Sequence, residues 1–380
     1  MKYIDLFAGI GGFHCALDQF DGANCVFSSE INVQAASVYL HNFPDSNLHG
    51  NIQLEETKQE IPSFDLLCAG FPCQPFSKSG NLKGFDDTRG TLFFDILEIL
   101  LTHRPKYILL ENVANLVSHD NGNTYKRITE SLVELGYSIP EEPCIVSPHQ
   151  LGIPVLRPRV YIPAVLGNNT NLKFDIPNID RNSLDAISYF HFGENVNLPI
   201  SSYQENILEI WNSFYQGIDQ KVIGFPIWYD YLNEVTYLPT KFQWKNEFIR
   251  KNKELFRRNR DFIDKWKRSY PEIEDYPVSY RKFEWQCGLS CETVFEGFIQ
   301  FRPSGIRVKR PTVFSTQVAI NQGQVIGKFL RRLTPNEAKK LQAFPDKFVL
   351  HSDDKMAFKH LGNSVNVEVV KFFINELLKY

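Results

Sequence analysis

Residues 64–77 read Phe64-Asp65-Leu66-Leu67-Cys68-Ala69-Gly70-Phe71-Pro72-Cys73-Gln74-Pro75-Phe76-Ser77. The first half is a short apolar run of the kind that makes a buried strand. The second half sets one cysteine between two prolines. Proline fixes φ and removes a backbone donor, which is useless in a core strand but suits a loop that presents a side chain rigidly. A thiol at a strand's carboxyl end stands where open α/β sheets place their ligands. A second apolar run, Tyr107-Ile108-Leu109-Leu110, ends in Glu111-Asn112-Val113 and puts a carboxylate at the same sheet edge. A cysteine nucleophile beside a glutamic acid that can donate a proton is equipment for attacking an electron-poor ring.

Outward from this pair, the first 165 residues alternate short apolar runs with helical segments. Residues 4–8, 25–28, 64–69, 107–111 and 159–165 read as strands, with helix pieces over 95–101 and 125–135. That alternation predicts a mostly parallel sheet covered on both faces. From about Leu166 the texture turns to Asn, Pro and aromatics, and all five tryptophans fall between Trp211 and Trp285, which marks a second domain. Order returns at Thr334-Pro335-Asn336-Glu337, a capping box that opens a helix ending before Pro345. Val369, Phe373 and Leu377, with Val370, Ile374 and Leu378, give a packed terminal helix.

The 380 residues exceed the usual single-domain size, and 43% hydrophobic content is ample for a core. Seven scattered cysteines argue against a disulfide framework. Cys287 and Cys291 lack the further ligands that a zinc site needs, so no metal is expected. No apolar run nears the roughly 20 residues of a membrane helix. The chain enters a strand at once, so no signal peptide is expected, and a cytoplasmic protein is. A net charge of −3 does not announce a polyanion binder, yet Lys241–Arg268 holds eleven Lys/Arg against four Asp/Glu. Such asymmetry fits a gripped polyanion or a solvated helix face. Trp244, Phe248, Leu255, Phe262 and Trp266 recur at spacings that read as a core stripe.

Gly9-Ile10-Gly11-Gly12 follows the first strand, where glycine allows a sharp turn and close approach to a ligand, though many such turns are only structural. It is not the dinucleotide fingerprint, since His14 stands where the third glycine belongs. Glu30 ends the next strand, placed to accept from ribose hydroxyls, so a nucleoside without pyrophosphate suits the turn better than NAD. Arg157 and Arg159 flank Pro158 and would share a face in extended chain, facing phosphate or carbonyl oxygens or merely solvent.

Taken in order, Asp5-Leu6-Phe7-Ala8-Gly9-Ile10-Gly11-Gly12-Phe13, Gly70-Phe71-Pro72-Cys73-Gln74-Pro75-Phe76-Ser77, Glu111-Asn112-Val113, Arg157-Pro158-Arg159 and Gly362-Asn363-Ser364-Val365 resemble the DNA (cytosine-5)-methyltransferases, nearest to bacterial restriction–modification methylases of the HhaI type. Lys83-Gly84-Phe85, Arg89-Gly90-Thr91-Leu92-Phe93 and residues 118–124 extend the likeness. It covers most of 1–165 and roughly 310–380, and leaves out the middle, which varies with the DNA target in that family.

The resemblance implies a Rossmann-like α/β S-adenosyl-L-methionine-dependent methyltransferase domain interrupted by a smaller target-recognition domain. Expected bounds are 1–165 for the catalytic and cofactor part, 166–305 for target recognition and 306–380 for the return segment. It implies Cys73 as the nucleophile on C6 of a flipped cytosine and Glu111 as the group at N3 and the exocyclic amine. Arg157 and Arg159 would steady the base, its neighbours and the catalytic loop. Phe7, Ala8, Gly9, Gly11, Gly12, Glu30, Ile31, Asn51, Ile52, Gly70, Leu92, Asn363, Ser364 and Val365 would line the S-adenosyl-L-methionine site. Ser77 and Ser79 would belong to a loop that closes on DNA, and Arg310-Pro311-Thr312 would support the recognition domain. The implied partners are double-stranded DNA and a cognate restriction endonuclease acting on the same sequence without a stable complex, with the enzyme itself a monomer. Asn51-Ile52 departs from the family's usual Asp-Ile and makes the adenine contact neutral, and Pro154-Val155 departs from Pro-Gln. The rivals are a tRNA cytosine-5 methyltransferase, whose branch tends to show a second proline before the cysteine and a threonine after the phenylalanine, and an inactive DNA-binding regulator, which would be expected to lose Cys73 or Glu111. Here the positions hold Phe71 and Ser77, and both Cys73 and Glu111 are present.

Overall fold

A computed structural model of the chain describes residues 1–72, 92–167, 172–189, 198–315 and 324–380. It falls into two compact units, the first built from Met1–Leu184 and Pro335–Tyr380, the second from Asp185–Ser315 and residues 324–334. No helix among the described residues is long and apolar enough to cross a membrane.

In the first unit, β1 (Lys2–Leu6) leads into α1 (Gly12–Leu17), followed by β2 (Asn24–Ser29), α2 (Val33–Asn42), β3 (Leu48–His49) and α3 (Glu55–Gln59). Then come β4 (Leu66–Gly70), α4 (Leu92–His103), β5 (Tyr107–Val113), α5 (Asn123–Glu134), β6 (Tyr137–Ser138), β7 (Cys144–Val146), β8 (Val155–Leu156) and β9 (Arg159–Leu166). The sheet order is β3-β2-β1-β4-β5-β9-β6, with β7 also on β9. The pairs from β3 to β5 are parallel, while β9 runs antiparallel to β5. Period-two alternation sends Ile4, Leu6, Leu67, Ala69, Ile108, Leu110, Ile162 and Ala164 into one core with Ile96 and Leu100 of α4 and Ile128 and Leu132 of α5. The first strand stops two residues before the expected Ala8, because Phe7 takes a left-handed φ of 56° and turns the chain.

The second unit has α6 (Ser202–Gly217), β10 (Ile227–Trp228), α7 (Gln243–Arg258) and α8 (Arg260–Ser269). It continues with β11 (Lys282–Gln286), β12 (Phe298–Arg302), β13 (Gly305–Lys309), β14 (Phe314–Ser315), β15 (Val325–Ile326) and β16 (Arg331–Arg332). Six of these strands form a sheet in the order β10-β11-β13-β12-β15-β16. Phe283, Trp285, Ile299, Ile306 and Val308 turn one face onto α6 and α8, where Trp211 stacks on Phe283 at 5.1 Å and Tyr215 on Trp285 at 3.9 Å. Cys287 and Cys291 are buried free thiols. The aromatic stripe expected over 244–266 does not run on one helix. Asn259 breaks it (φ −120°, ψ 28°), with its amide exchanging hydrogen bonds with Asp219. Leu255 and Trp266 are buried as expected, but Trp244 is 58% exposed.

The chain returns to the first unit in α9 (Pro335–Leu341), α10 (Asp354–Asn363) and α11 (Val367–Leu377), the last packing on the opposite sheet face with Phe373 stacked on Tyr161 at 4.7 Å. Two boundaries differ from those expected. The first unit extends past residue 165 to Leu184, because the Lys173 amide donates to the Tyr380 hydroxyl (3.0 Å) and Phe174 packs on Phe373. Residues 306–315 and 324–334 belong to the second unit, since β13 is laddered between β11 and β12 and β15 pairs β12.

Candidate active site

The carboxyl edge of β4 and β5 sets the centre of the site. Gly70 pairs with Glu111 across the parallel ladder, and Glu111 in turn opposes Tyr161 of β9. A methyl group on Gly70 would lie 3.5 Å from Glu111 Oε2, 3.7 Å from the Phe13 ring and 3.9 Å from Val365, so the β4 end, α1 and the return segment converge there. The Glu111 side chain is buried, and Arg159 Nε lies 3.1 Å from its Oε1. Burial raises the Glu111 carboxyl above its ordinary range, against the pull of the Arg159 and Arg157 guanidinium groups. A carboxyl so buried keeps its proton to higher pH than a free glutamate does, which suits it to donate to a ring nitrogen.

Arg157 and Arg159 part company. Arg159 turns to Glu111, whereas Arg157 is buried and donates through Nη2 to the carbonyls of Gly362 (2.9 Å) and Ser364 (2.6 Å). Its backbone amide is held by Ser147 Oγ at 2.9 Å. Burial, reinforced by neighbouring Arg159, lowers the Arg157 pKa to about 10, which leaves it charged at neutral pH. Arg157 therefore clamps the 362–364 backbone to the sheet.

Asn112 is a contributor that the spacing did not single out. Its Nδ2 donates to the Phe71 carbonyl at 2.8 Å, fixing the backbone two residues before Cys73. The Glu111-Asn112-Val113 run was the available signal. Cys73, Ser77, Ser79 and the rest of 73–91 lie outside the described residues.

Beside this centre, the turn after β1 carries the other expected residues. Gly9 donates its amide to Glu30 Oε2 (2.8 Å), and Asn32 donates to Glu30 Oε1 (2.6 Å), so the carboxylate at the end of β2 is aimed by two backbone groups. Gly11 has a φ of 91°, and a Cβ there would come 2.5 Å from the Phe43 ring. A Cβ on Gly12 would come 2.6 Å from Val365 and 2.7 Å from Ser364 Oγ. Only glycine lets the turn and the return segment touch. His14, at the missing third glycine, contacts the two aromatic side chains that back Gly11. It hydrogen-bonds Tyr39 at 2.7 Å and stacks on Phe43 at 3.8 Å, bracing Gly11 from behind.

Phe7, Ala8 and Gly70 sit at the same edge, Ser364 and Val365 are buried against the turn, and Asn363 is exposed. Ile31 follows Glu30 and is 69% exposed. Asn51 accepts from the Gln53 amide (3.1 Å), Ile52 is buried beside it, and Leu92 begins α4. A glycine turn, an oriented carboxylate and an open aliphatic side chain fit a nucleoside: close backbone approach, acceptors for ribose hydroxyls and an apolar wall for a base.

The family described as C-5 cytosine-specific DNA methylase matches residues 1–379. The chain is 37% identical to Type II methyltransferase M.HpaII of Haemophilus parainfluenzae, over 97% of this chain and 87% of that protein. It is 30% identical to M.AluI of Cellulosimicrobium cellulans (99% and 91% covered) and 29% to M.HhaI of Haemophilus parahaemolyticus (98% and 92%). Among solved structures, the S. pombe Dnmt2 methyltransferase superposes with a TM-score of 0.55 at 19% identity, covering 100% of this chain and 98% of that one. A putative DNA modification methyltransferase encoded within an E. coli prophage gives 0.53 at 19%, covering 100% and 99%, and both likenesses bear on the fold. With a sheet edge that gathers Gly70, Glu111 and Arg159 and a family match spanning nearly its whole length, this chain belongs to the C-5 cytosine-specific DNA methylases, enzymes that use S-adenosyl-L-methionine as methyl donor and act on DNA.

Proposed function

We propose that this protein methylates C5 of a cytosine within a specific double-stranded DNA sequence through a covalent adduct on Cys73. The observation that carries the reading is Glu111: a buried carboxyl, paired with Arg159 at 3.1 Å, at the strand end beside Gly70 and three positions before Cys73 in the neighbouring strand's continuation. The target base must leave the duplex stack before a thiol can reach its ring. Cys73 Sγ then adds to C6 while the Glu111 carboxyl gives its proton to N3, and the ring's electrons become available at C5. S-adenosyl-L-methionine supplies the methyl group that C5 takes up. Loss of the C5 proton, return of the N3 proton to the Glu111 carboxylate and expulsion of the thiolate restore the ring, and the methyl donor leaves as S-adenosylhomocysteine. Covalent addition divides one difficult substitution into easier steps. Arg159 holds Glu111 in place, and Arg157 keeps Ser364 and Val365 against the glycine turn.

Phe7, Ala8, Gly9, Gly11 and Gly12, with Glu30, Ile31, Asn51, Ile52, Gly70, Leu92 and Asn363, Ser364 and Val365, would hold the methyl donor. The second unit would read the DNA sequence. The Type II methyltransferases among the relatives support a role as the modification enzyme beside a restriction endonuclease. The enzyme would act as a monomer, without a stable complex with that endonuclease.

The test is a trapping experiment with duplex DNA in which every cytosine is 5-fluorocytosine, since fluorine at C5 blocks the last elimination. A denaturation-stable protein–DNA adduct is expected with S-adenosyl-L-methionine present, and none with Cys73→Ser. An adduct mapped to another cysteine overturns the assignment. Transfer of labelled methyl to tRNA but not to duplex DNA overturns the substrate.

A further inference from the structure

The stretch 232–242 joins a short helical turn at Tyr229–Tyr231 to α7 and has no regular structure of its own. Connecting loops of that kind run through water and are ordinarily polar. This one exposes Val235, Tyr237, Leu238 and Phe242, and Trp244 follows in the first turn of α7. Leu238 is 90% exposed.

The exposure is not slack packing. Asn246 Oδ1 accepts from the Thr240 amide (2.8 Å) and hydroxyl (2.9 Å), and its Nδ2 donates to the Thr240 carbonyl (2.9 Å). The Tyr237 hydroxyl donates to the Asp230 carbonyl (2.8 Å) and accepts from Asn233 (3.1 Å). Lys253 Nζ donates to the carbonyls of Asn233 and Val235 and lies over the Tyr237 ring. The backbone is held at both ends while its apolar side chains face out. Contiguous exposed apolar groups on a braced support mark a contact surface.

The charges indicate which partner fits. Along α7, Arg250 and Lys251 pair with Glu247, Arg250 also with Glu254, and Arg257 with Glu234. Lys241 and Lys245 make no ion pair among the described residues, and Lys241 Nζ sits 5.2 Å from the Phe242 ring centroid. The end of α7 that carries the exposed aromatics therefore keeps its two lysines free of acidic partners among the described residues. Duplex DNA offers both complements at close spacing, phosphates for lysines and sugars, thymine methyls or a base step for apolar groups.

We propose that this rim is a duplex-DNA contact, in which Leu238, Phe242 and Trp244 press into a groove while Lys241 and Lys245 meet the flanking phosphates. It rests on the reading that the second unit recognises DNA. Two variants of the full chain test it against sheared, unmethylated genomic DNA: Leu238→Ser with Trp244→Ser, and Lys241→Gln with Lys245→Gln. The first should raise KM for DNA at least about tenfold with S-adenosyl-L-methionine affinity and melting temperature unchanged. The second should shrink the slope of log affinity against log salt by about 1.8, at about 0.9 per phosphate contact. The wild-type fluorescence should fall on DNA addition and the response should vanish in Trp244→Phe. Unchanged KM and slope in both variants overturn the proposal. So does a change in the free protein's sedimentation from dimer to monomer with DNA binding intact, which would make the rim a contact between copies. Wild-type protein that binds DNA with these responses yet transfers no methyl would leave the rim standing and remove the catalytic reading.

Discussion

At the scale of single residues, the site turns on how Glu111 is held. Burial pushes its carboxyl up and Arg159 pulls it back. If the protonated form serves N3, the rate falls as pH rises through the folded-state pKa. Replacing Arg159 with Gln removes a pull toward the ionised form, so that alkaline limb should move to higher pH in single-turnover methyl transfer. A limb that stays put, or moves down, would show that another group titrates there. Glu111→Gln should slow transfer by roughly 10²–10⁴, the usual worth of acid–base assistance, and leave cofactor binding nearly unchanged. Glu111 was legible in the sequence because strand-end chemistry leaves a local mark, an apolar run that stops at a charged side chain, but its pairing with Arg159, which opens the neighbouring antiparallel strand, was not. The Asn112–Phe71 hydrogen bond was not, since it joins positions 41 apart through a ladder register that no local pattern specifies.

At the scale of elements, the question is what keeps the start of α1 in contact with the segment between α10 and α11. The two are some 350 residues apart in the chain, yet Gly12 touches Ser364 and Val365, and Arg157 ties the Gly362 and Ser364 carbonyls to the sheet. Arg157→Ala leaves two buried carbonyls short of a donor, a cost of roughly 2–4 kcal/mol that urea denaturation should register. Gly12→Ala acts more locally. Its methyl would meet Val365 at 2.6 Å, so the return segment must move away, and S-adenosyl-L-methionine affinity should drop about tenfold or more by calorimetry while DNA binding persists. Equal affinity in the variant would place the cofactor away from this turn. The glycines were visible in the sequence as a turn, but which glycine was obligatory, and against what, needed the third dimension. The helices of the second unit show the same limit. A spacing of four and seven continued smoothly across Asn259, but the amide exchange with Asp219 ends one helix and starts another, and Trp244 is left outside the core.

Across the whole molecule, a net charge of −3 has to coexist with binding a polyanion. The cluster between Lys241 and Arg268 looks from composition like the answer, but the structure uses most of it internally. Lys251 pairs with Glu247, Arg257 and Arg260 share Glu234, Arg260 also reaches Asp264, and Arg258 bonds Gln220. Composition counts charges, whereas helix periodicity decides which of them face each other, as Lys251 with Glu247 and Arg260 with Asp264 do at a spacing of four. Four independent phosphate contacts would contribute ~3.6 to the salt slope, at about 0.9 apiece. Replacing Lys251, Arg257, Arg258 and Arg260 together by Gln should instead change the slope of log DNA affinity against log salt by less than about 1. The loss should fall on stability, at roughly 0.2–1 kcal/mol for each exposed pair, and ease as salt is added. A slope reduced by three or more would mean that DNA draws these side chains out of their internal pairs, and that the grip on the phosphate backbone is made by α7 and α8 after all.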